Sequence, residues 1–414
     1  MSTAPVYGLL GQSLKHSYSV PVHQAFGCPD YRLIEIAPEG LADFFAQTRI
    51  GGLNVTIPYK RTVMAYCDTL SAEAQAIGSV NTIVQAANGQ RIGHNTDFFG
   101  LRHTAERAGI DWHQKKVLVF GSGGAALTAQ AVARTQGARA VVLISRHGTE
   151  TYAHLERHAD AEVLINATPV GMYPQVGVLP ADPALFPRCT GLIDLIYNPR
   201  RTAFLMRGKS LGIPCVDGLP MLVAQAAAAE ELFFSRPIAA EEIERVTADL
   251  RRDRANIVLI GMPGCGKSTI GAALATLSGR PLIDIDAEIA NKNGPIAAIF
   301  AQAGEAAFRQ LEQEHIARAG KESGSIIVTG GGAVTTPANL PTLRQNGRIY
   351  HLERALHLLA REGRPLSLNG DLEAMYTARR PLYHQFADAT RENRGNPHDV
   401  ANTIWKDFYA HTDY

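Results

Sequence analysis

The chain has 414 residues, 46% of them hydrophobic and 19% charged, with 40 Lys plus Arg against 39 Asp plus Glu. That length exceeds what one hydrophobic core fills, so two or three domains are expected, and the balanced charge gives no footprint for nucleic acid or anionic lipid. No apolar run approaches ~18 residues, the start has no signal-peptide pattern, and five scattered cysteines form neither zinc pairs nor a disulfide framework; a reducing cytoplasm and small-molecule partners are expected, with no nucleic acid and no membrane.

Short β-branched runs alternate with alanine-rich helical stretches almost throughout, which predicts α/β layers. Residues 1–100 have their own strands, "RLIEIA", "GLNVTI" and "SVNTIV". The segment "GLNVTIPYK" places Asn54 and Thr56 on one strand face and presents Lys60 beyond a Pro58 turn. "GHNTDFFG" then supplies Asn95, Thr96 and Asp97. A lysine and an aspartate meeting between two lobes could pass a proton to a carbonyl that receives hydride. Each also has a plainer reading: Lys60 as an exposed turn charge, Asp97 as the N-cap of the next helix.

Residues 101–216 open a second unit. The buried strand "KVLVF" runs into "GSGGAA", which fits G-x-G-x-x-G/A with Gly121, Gly123 and Ala126. A following strand, "AVVLIS", ends in Arg146, where an acidic residue would bind the ribose 2′-hydroxyl of NAD. An arginine instead offers a fork to a 2′-phosphate, which favours NADP, unless Arg146 is only a solvated charge at a strand end. A helix over 217–234 could pack back on the first lobe, and 235–254 reads as a breaker followed by a charged linker helix.

The last unit, 255–414, begins with "NIVLI" and "GMPGCGKST", a complete G-x-x-x-x-G-K-S phosphate loop between strand and helix. Backbone N–H groups from Gly264, Cys265, Gly266, Ser268 and Thr269 would wrap a phosphate of ATP, Lys267 would reach the β/γ oxygens, and the Ser268 hydroxyl would ligate Mg²⁺. Cys265 reads as a small filler. In "PLIDIDAEI", Asp284 and Asp286 are expected on one face of a strand, roughly 7 Å apart. One could serve the Mg²⁺ shell and the other accept a proton, or either could merely cap a helix. Arg309 and Glu312 fall at i, i+3 on a helix, where a surface ion pair is the common outcome. "IIVTGGGAV" ends a buried strand in three glycines that allow close backbone approach, and "REGRPL" and "TARRPLY" add arginines.

These last motifs, with "FRQLE", resemble shikimate kinase over about 255–410. The resemblance implies a P-loop α/β fold of the nucleoside-monophosphate-kinase class with a parallel sheet. It implies that Asp286 holds the acceptor hydroxyl, that Arg309 and Arg379 clamp the substrate carboxylate, and that Gly331 lies beside the ring. Asp284 would act through the metal's water shell and Arg364 would contact ATP phosphates.

The first half is similar to shikimate dehydrogenase over about 5–234, through "HSYS", "NVTIPYK", "GSVNT", "HNTD", "GSGGAA", "NATPVGM", "LIYNP" and "DGLPMLVAQA" in order. The resemblance implies a two-lobed enzyme with a Rossmann-type nucleotide lobe. Ser17 and Ser19 would hold the substrate carboxylate, with Tyr197 near it. Asn54, Thr56, Asn81, Asp97 and Gln225 would bind ring hydroxyls, and Lys60 with Asp97 would be the acid/base pair. Gly121, Ser122, Gly123, Gly124 and Ala125 would cradle the pyrophosphate of NADP(H), Arg146 the 2′-phosphate, and Gly218 and Met221 would line the nicotinamide. Pro220 stands where a glycine is usual, stiffening that turn. Only 19 residues separate Arg146 from Asn166, room for one helix and one strand, so the nucleotide lobe is expected to be trimmed at one sheet edge.

Together the resemblances imply a bifunctional enzyme of aromatic amino-acid biosynthesis. It would reduce 3-dehydroshikimate to shikimate with NADPH, then phosphorylate the 3-hydroxyl with ATP. The alternative is an active kinase joined to a dehydrogenase half that senses metabolites, is weakly active, or uses quinate and NAD.

Overall fold

The computed structural model describes residues 4–14, 18–360 and 371–411. They fall into two compact units, Met1–Thr247 and Ala248–Tyr414, and the division lies inside one continuous helix, α8 (Ala240–Arg254).

The first unit contains two sheets. The earlier has six strands: β1 (Val6–Gly11), β2 (Arg32–Glu35), β3 (Ile50–Val55), β4 (Thr69–Leu70), β5 (Thr82–Gln85) and β6 (Arg91–His94), ordered β2-β1-β3-β5-β6-β4. Parallel pairing joins β1 to β2 and β3, whereas β5 runs antiparallel to β3 and β6. Alternation along β3 sends Leu53 and Val55 into a core with Leu10, Val63 and Ile83. Asn54 points the other way and is nevertheless only 4% exposed. Three short helices, α1 (Ser19–Ala25), α2 (Leu41–Gln47) and α3 (Ala72–Ile77), belong to this lobe.

The second sheet is wholly parallel: β7 (Lys116–Phe120), β8 (Ala140–Ile144), β9 (Val163–Asn166), β10 (Gly191–Asp194) and β11 (Cys215–Val216), ordered β11-β10-β9-β7-β8. Its inner strands read as unbroken apolar runs because both faces are covered. The order reverses at β7, with β8 on one side and β9 on the other. Loops leaving the carboxyl ends of β7 and β9 therefore flank a crevice suited to a ligand. The stretch between Arg146 and β9 holds one 3-10 segment, Tyr152–His158, leaving β8 as the edge strand. Helices α4 (Asp97–Arg107), α5 (Gly124–Thr135), α6 (Ala203–Ser210) and α7 (Leu219–Phe234) complete the unit. α7 returns to pack on α4, β3 and α1. A Cβ at Gly100 of α4 would lie 2.7 Å from the Met221 carbonyl, so a glycine is what lets the two helices come this close. Pro220 occupies the first turn of α7, where its missing N–H costs no hydrogen bond.

The second unit has one parallel sheet, ordered β13-β14-β12-β15-β16, from β12 (Asn256–Ile260), β13 (Leu282–Asp284), β14 (Ile326–Val328), β15 (Gly347–Glu353) and β16 (Ala389–Glu392). Helices α9 (Lys267–Ser278), α10 (Ile285–Asn293), α11 (Ile296–Ala319), α12 (Asn339–Arg344), Leu372–Phe386 and Pro397–Ala410 cover it. All five β12 residues are buried. Its apolar side chains contribute roughly 1.5–3 kcal/mol each, and Leu259→Ala would cost about 2–5 kcal/mol. Among the described residues no helix is long and apolar enough to cross a membrane.

One expectation is corrected here. Asp284 and Asp286 do not share a strand face, because β13 ends at Asp284. Asp284 is the N-cap of α10 and accepts a hydrogen bond from Ala287 N at 3.2 Å, which puts Asp286 in the first helical turn. Asp284 reaches Ser268, while Asp286 Oδ1 lies beside Gly330.

Candidate active sites

A cleft of about 820 Å³ opens in the first unit, lined by Ser19, Asn54, Thr56, Lys60, Asn81, Asp97, Ala125, Tyr197, Gly218, Met221 and Gln225 among others. Eleven expected residues thus meet at one place, although they come from both lobes and from the returning helix. Lys60 Nζ donates to Asp97 Oδ2 at 2.6 Å, with the side chains 26% and 15% exposed. Neither plain reading holds: Lys60 is not a free turn charge, and Thr96, not Asp97, is the N-cap of α4. A neutral hydrogen-bond lattice surrounds the pair. Asn81 Oδ1 accepts from Thr96 N at 2.7 Å and from Thr82 Oγ1 at 3.0 Å, and Thr96 Oγ1 lies 3.4 Å from Gln225 Oε1. Burial raises the Tyr197 phenol above its usual range, and its ring lies 5.2 Å from that of Tyr18. Ser17 lies outside the described residues.

The glycine loop leaves β7 beside this cleft. Gly121 has φ +120°, and a Cβ there would sit 2.9 Å from the Ala167 carbonyl, so both its conformation and its neighbour require glycine. Ser122, Gly123, Gly124 and Ala125 are exposed at the start of the twelve-residue helix α5, an arrangement that fits a pyrophosphate. Arg146 is exposed just past β8, a position open equally to a 2′-phosphate and to solvent.

A residue missed in the sequence organises the far wall. Asp194, fully buried at the end of β10, accepts from Thr202 Oγ1 (2.6 Å), Asn166 Nδ2 (3.0 Å) and Ile196 N (3.1 Å). One carboxylate so ties the loop after β9, which carries Met172, to the loop after β10, which carries Leu195 and Tyr197. Burial pushes its pKa up to about 7 against those hydrogen bonds. It stands one residue before the quoted "LIYNP", but a lone strand-end aspartate gives no sign of depth.

In the second unit, Gly264, Gly266, Lys267, Ser268 and Thr269 line a pocket of about 180 Å³ with Asp286, Arg309, Glu312, Gly330, Gly331 and Arg379. Lys267 is 8% exposed and donates to the Gly261 and Met262 carbonyls at 2.8 and 3.1 Å. Cys265 is buried, its carbonyl accepting from Asn393 Nδ2 at 2.6 Å, in keeping with a filler. Ser268 Oγ donates to Asp284 Oδ2 at 2.6 Å. These are hard oxygen donors with an exposed side, a set that fits Mg²⁺.

The glycine run after β14 leaves no room for a side chain at any of its three positions. A Cβ on Gly330 would lie 2.7 Å from Asp286 Oδ1 and closer still to Glu312 Oε1, one on Gly331 would strike Pro263, and one on Gly332 would overlap the Arg309 guanidinium. The carbonyl of Gly331 accepts from Arg379 Nη1 at 3.1 Å and from the Tyr383 hydroxyl at 2.6 Å. Arg309 bonds Glu312 at 2.7 Å and Glu305 at 2.9 Å. This is no surface pair, since the Glu312 side chain is 0% exposed. Burial foremost raises the Glu312 carboxyl above its usual range, Arg309 opposing, with Asp286 adding to the rise. The spacing marks Glu312 only as half of a surface pair, since a helical face says nothing of depth, and no motif singles out Tyr383 or Asn393, the latter just past β16. Arg364 lies outside the described residues.

Comparison with known proteins agrees with this division. Residues 9–83 match the family model of the shikimate dehydrogenase substrate binding domain, and residues 263–408 match that of shikimate kinase. A curated relative from Clostridium beijerinckii, shikimate dehydrogenase (NADP(+)), is 36% identical over 248 residues, covering 55% of this chain and 91% of the relative. Among solved structures, a chorismate mutase/shikimate 5-dehydrogenase fusion protein from Clostridium acetobutylicum is 32% identical with a TM-score of 0.57, over 60% of this chain and 97% of that one. Shikimate 5-dehydrogenase from Thermus thermophilus, in complex with NADP(H) and shikimate, is 30% identical with a TM-score of 0.53, over 59% and 99%. The chain belongs to the shikimate dehydrogenase family and carries, over residues 263–408, a shikimate kinase domain, making it a shikimate-pathway enzyme with a dehydrogenase and a kinase in one polypeptide.

Proposed function

We propose that the first unit reduces 3-dehydroshikimate to shikimate and that the second phosphorylates the 3-hydroxyl so formed. The observation that carries this reading is a pairing of sites. A Lys–Asp proton-transfer pair stands in a cleft that also presents amides and hydroxyls, and a phosphate loop opens onto a pocket of two arginines and two carboxylates. Residues 1–100 with helix 217–234 form the substrate lobe in this reading, 101–216 the nucleotide lobe, 235–254 the linker and 255–414 the kinase.

Bound NADPH supplies the hydride and bound ATP the phosphoryl group. In the first cleft the Lys60 ammonium gives its proton to the carbonyl oxygen as negative charge builds there, and Asp97 orients it. Asn54, Thr56, Asn81 and Gln225 hold the ring hydroxyls, while Ser19, Ser17 and Tyr197 meet the carboxylate. Gly121 to Ala125 take the pyrophosphate, Gly218 and Met221 the nicotinamide face, and Arg146 the 2′-phosphate.

In the kinase pocket Arg309 and Arg379 clamp the carboxylate, and Gly331 backs the ring. Asp286 accepts the hydroxyl proton. Lys267 exchanges its loop carbonyls for phosphate oxygens, joined by Arg364. Ser268 directly, and Asp284 through water, would hold Mg²⁺, which supplies charge neutralisation at the phosphates. The test is two separate assays on the purified chain: NADPH loss with 3-dehydroshikimate, and ADP formation with shikimate and ATP. Activity in both is expected; activity in neither overturns the reading.

A further inference from the structure

Behind the wall of the first cleft lies a cluster of buried polar side chains that the chemistry above does not use. The buried face of α7 is otherwise apolar, half of it alanine, yet it includes Glu230, 1% exposed. Glu230 Oε1 lies 2.5 Å from Nδ1 of His23 on α1, which is 0% exposed. The His23 ring stacks on Tyr31, with centroids 3.8 Å apart and planes 6° from parallel. Tyr31, 3% exposed, donates its hydroxyl to Asn54 Oδ1 at 2.8 Å. Asn54 Nδ2 in turn reaches Thr82 Oγ1 at 3.1 Å and the Asn81 carbonyl at 3.5 Å.

Apolar residues of similar volume would fill this space without the desolvation cost of a carboxylate and an imidazole. Neither His23 Nε2 nor Glu230 Oε2 has a hydrogen-bond partner among the described residues, so the cluster is not there for polar satisfaction. Burial drives His23 toward its neutral form, in which an Nδ1 proton donates to Glu230. What the members share is that each sits on, or bonds to, an element that carries a cleft residue. His23 lies one helical turn beyond Ser19 on α1, Glu230 is five residues beyond Gln225 on α7, and Tyr31 bonds Asn54 on β3. Ser19, Gln225 and Asn54 all line the cleft, from three different elements that meet at this cluster.

We propose that His23, Glu230 and Tyr31 are positioning residues of the dehydrogenase: they fix Ser19, Gln225 and Asn54 relative to one another and so set the affinity for the polyol, without touching it. The proposal rests on the reading of this cleft as the 3-dehydroshikimate and shikimate site. Its sharpest element is the Asn54 amide. With Nδ2 directed at Thr82 and Asn81 and one Oδ1 lone pair taken by Tyr31, the amide offers the substrate an acceptor. Without the Tyr31 hydroxyl that oxygen loses its one fixed donor, and the amide is held only by its Nδ2 contacts.

Steady-state oxidation of shikimate by NADP⁺ tests this in Tyr31→Phe, Glu230→Ala and Glu230→Gln. Tyr31→Phe and Glu230→Ala should raise KM for shikimate about fivefold or more, with kcat within twofold and KM for NADP⁺ unchanged. Glu230→Gln, whose amide oxygen can still accept from His23, should recover most of that loss. A shikimate KM within twofold of wild type in both Tyr31→Phe and Glu230→Ala overturns the proposal. So does a parallel rise in both KM values, the mark of general loosening. A second readout needs no substrate: hydrogen exchange at the Asn54 side-chain amide, followed by NMR, should quicken in Tyr31→Phe. Failure of the wild type to oxidise shikimate contradicts the assignment of the cleft, whereas unchanged Asn54 exchange contradicts the positioning role.

Discussion

The two sites of this chain are built from different materials. The dehydrogenase cleft is wide, and its walls mix apolar side chains with neutral amides and hydroxyls, with one Lys–Asp contact as its charged feature. The kinase pocket has under a quarter of that volume, 180 against 820 Å³, and packs Lys267, Arg309 and Arg379 against Asp286 and Glu312. The chemistry accounts for the difference. Adding hydride and a proton to a ketone builds charge on one oxygen, which one ammonium can meet. Transferring a phosphoryl group spreads charge over several oxygens and needs cations held in a dry, fixed array.

If that contrast is right, the two activities should separate cleanly under single substitutions. Lys60→Ala should lower dehydrogenase kcat by about 10²–10⁴-fold and leave ADP formation within twofold. Lys267→Ala should do the reverse, with a kinase loss of about 10²–10³-fold. Paired assays on each variant check this, and a loss of both activities from either change would break the contrast. A smaller effect sharpens the cofactor side of it. Arg146→Gln should raise KM for NADPH about tenfold while leaving KM for NADH unchanged, because only the 2′-phosphate is affected.

A prediction of another kind concerns stability. Asp194 has a folded-state pKa of about 7, above the ordinary carboxyl value of 3.8. The folded state therefore holds this proton more tightly than the unfolded chain. Its stabilising contribution is fully present below pH ~4 and is lost as pH rises through ~7, up to a few kcal/mol in all. Asp194→Asn can keep the bonds to Asn166, Ile196 and Thr202. It should therefore flatten the fall in melting temperature between pH 5 and 7.5, which thermal melts across that range would measure.

How much of this was legible in the sequence differs between the halves in an instructive way. Both glycine loops were readable, since strand, loop and helix are local and the motif residues lie within a few positions. The meeting of Lys60 with Asp97 was readable as chemistry, though their contact spans 37 residues. Where the sequence misled, depth or a boundary was at issue. Asp284 and Asp286 look like strand alternation until the helix cap at Asp284 is seen. Arg309 and Glu312 have the spacing of a surface pair, and tertiary packing, the glycine run included, makes the pair internal. His23, Glu230 and Tyr31 were silent, because what joins them is tertiary packing across 207 residues of chain.

The most direct test of the central claim is a single reaction containing the purified chain, 3-dehydroshikimate, NADPH, ATP and Mg²⁺, with product identified by mass spectrometry. NADPH oxidation and ADP release should finish in equal amounts, with shikimate 3-phosphate as product. Accumulation of shikimate without ADP, or ATP use that does not depend on NADPH, would contradict two successive reactions at one oxygen.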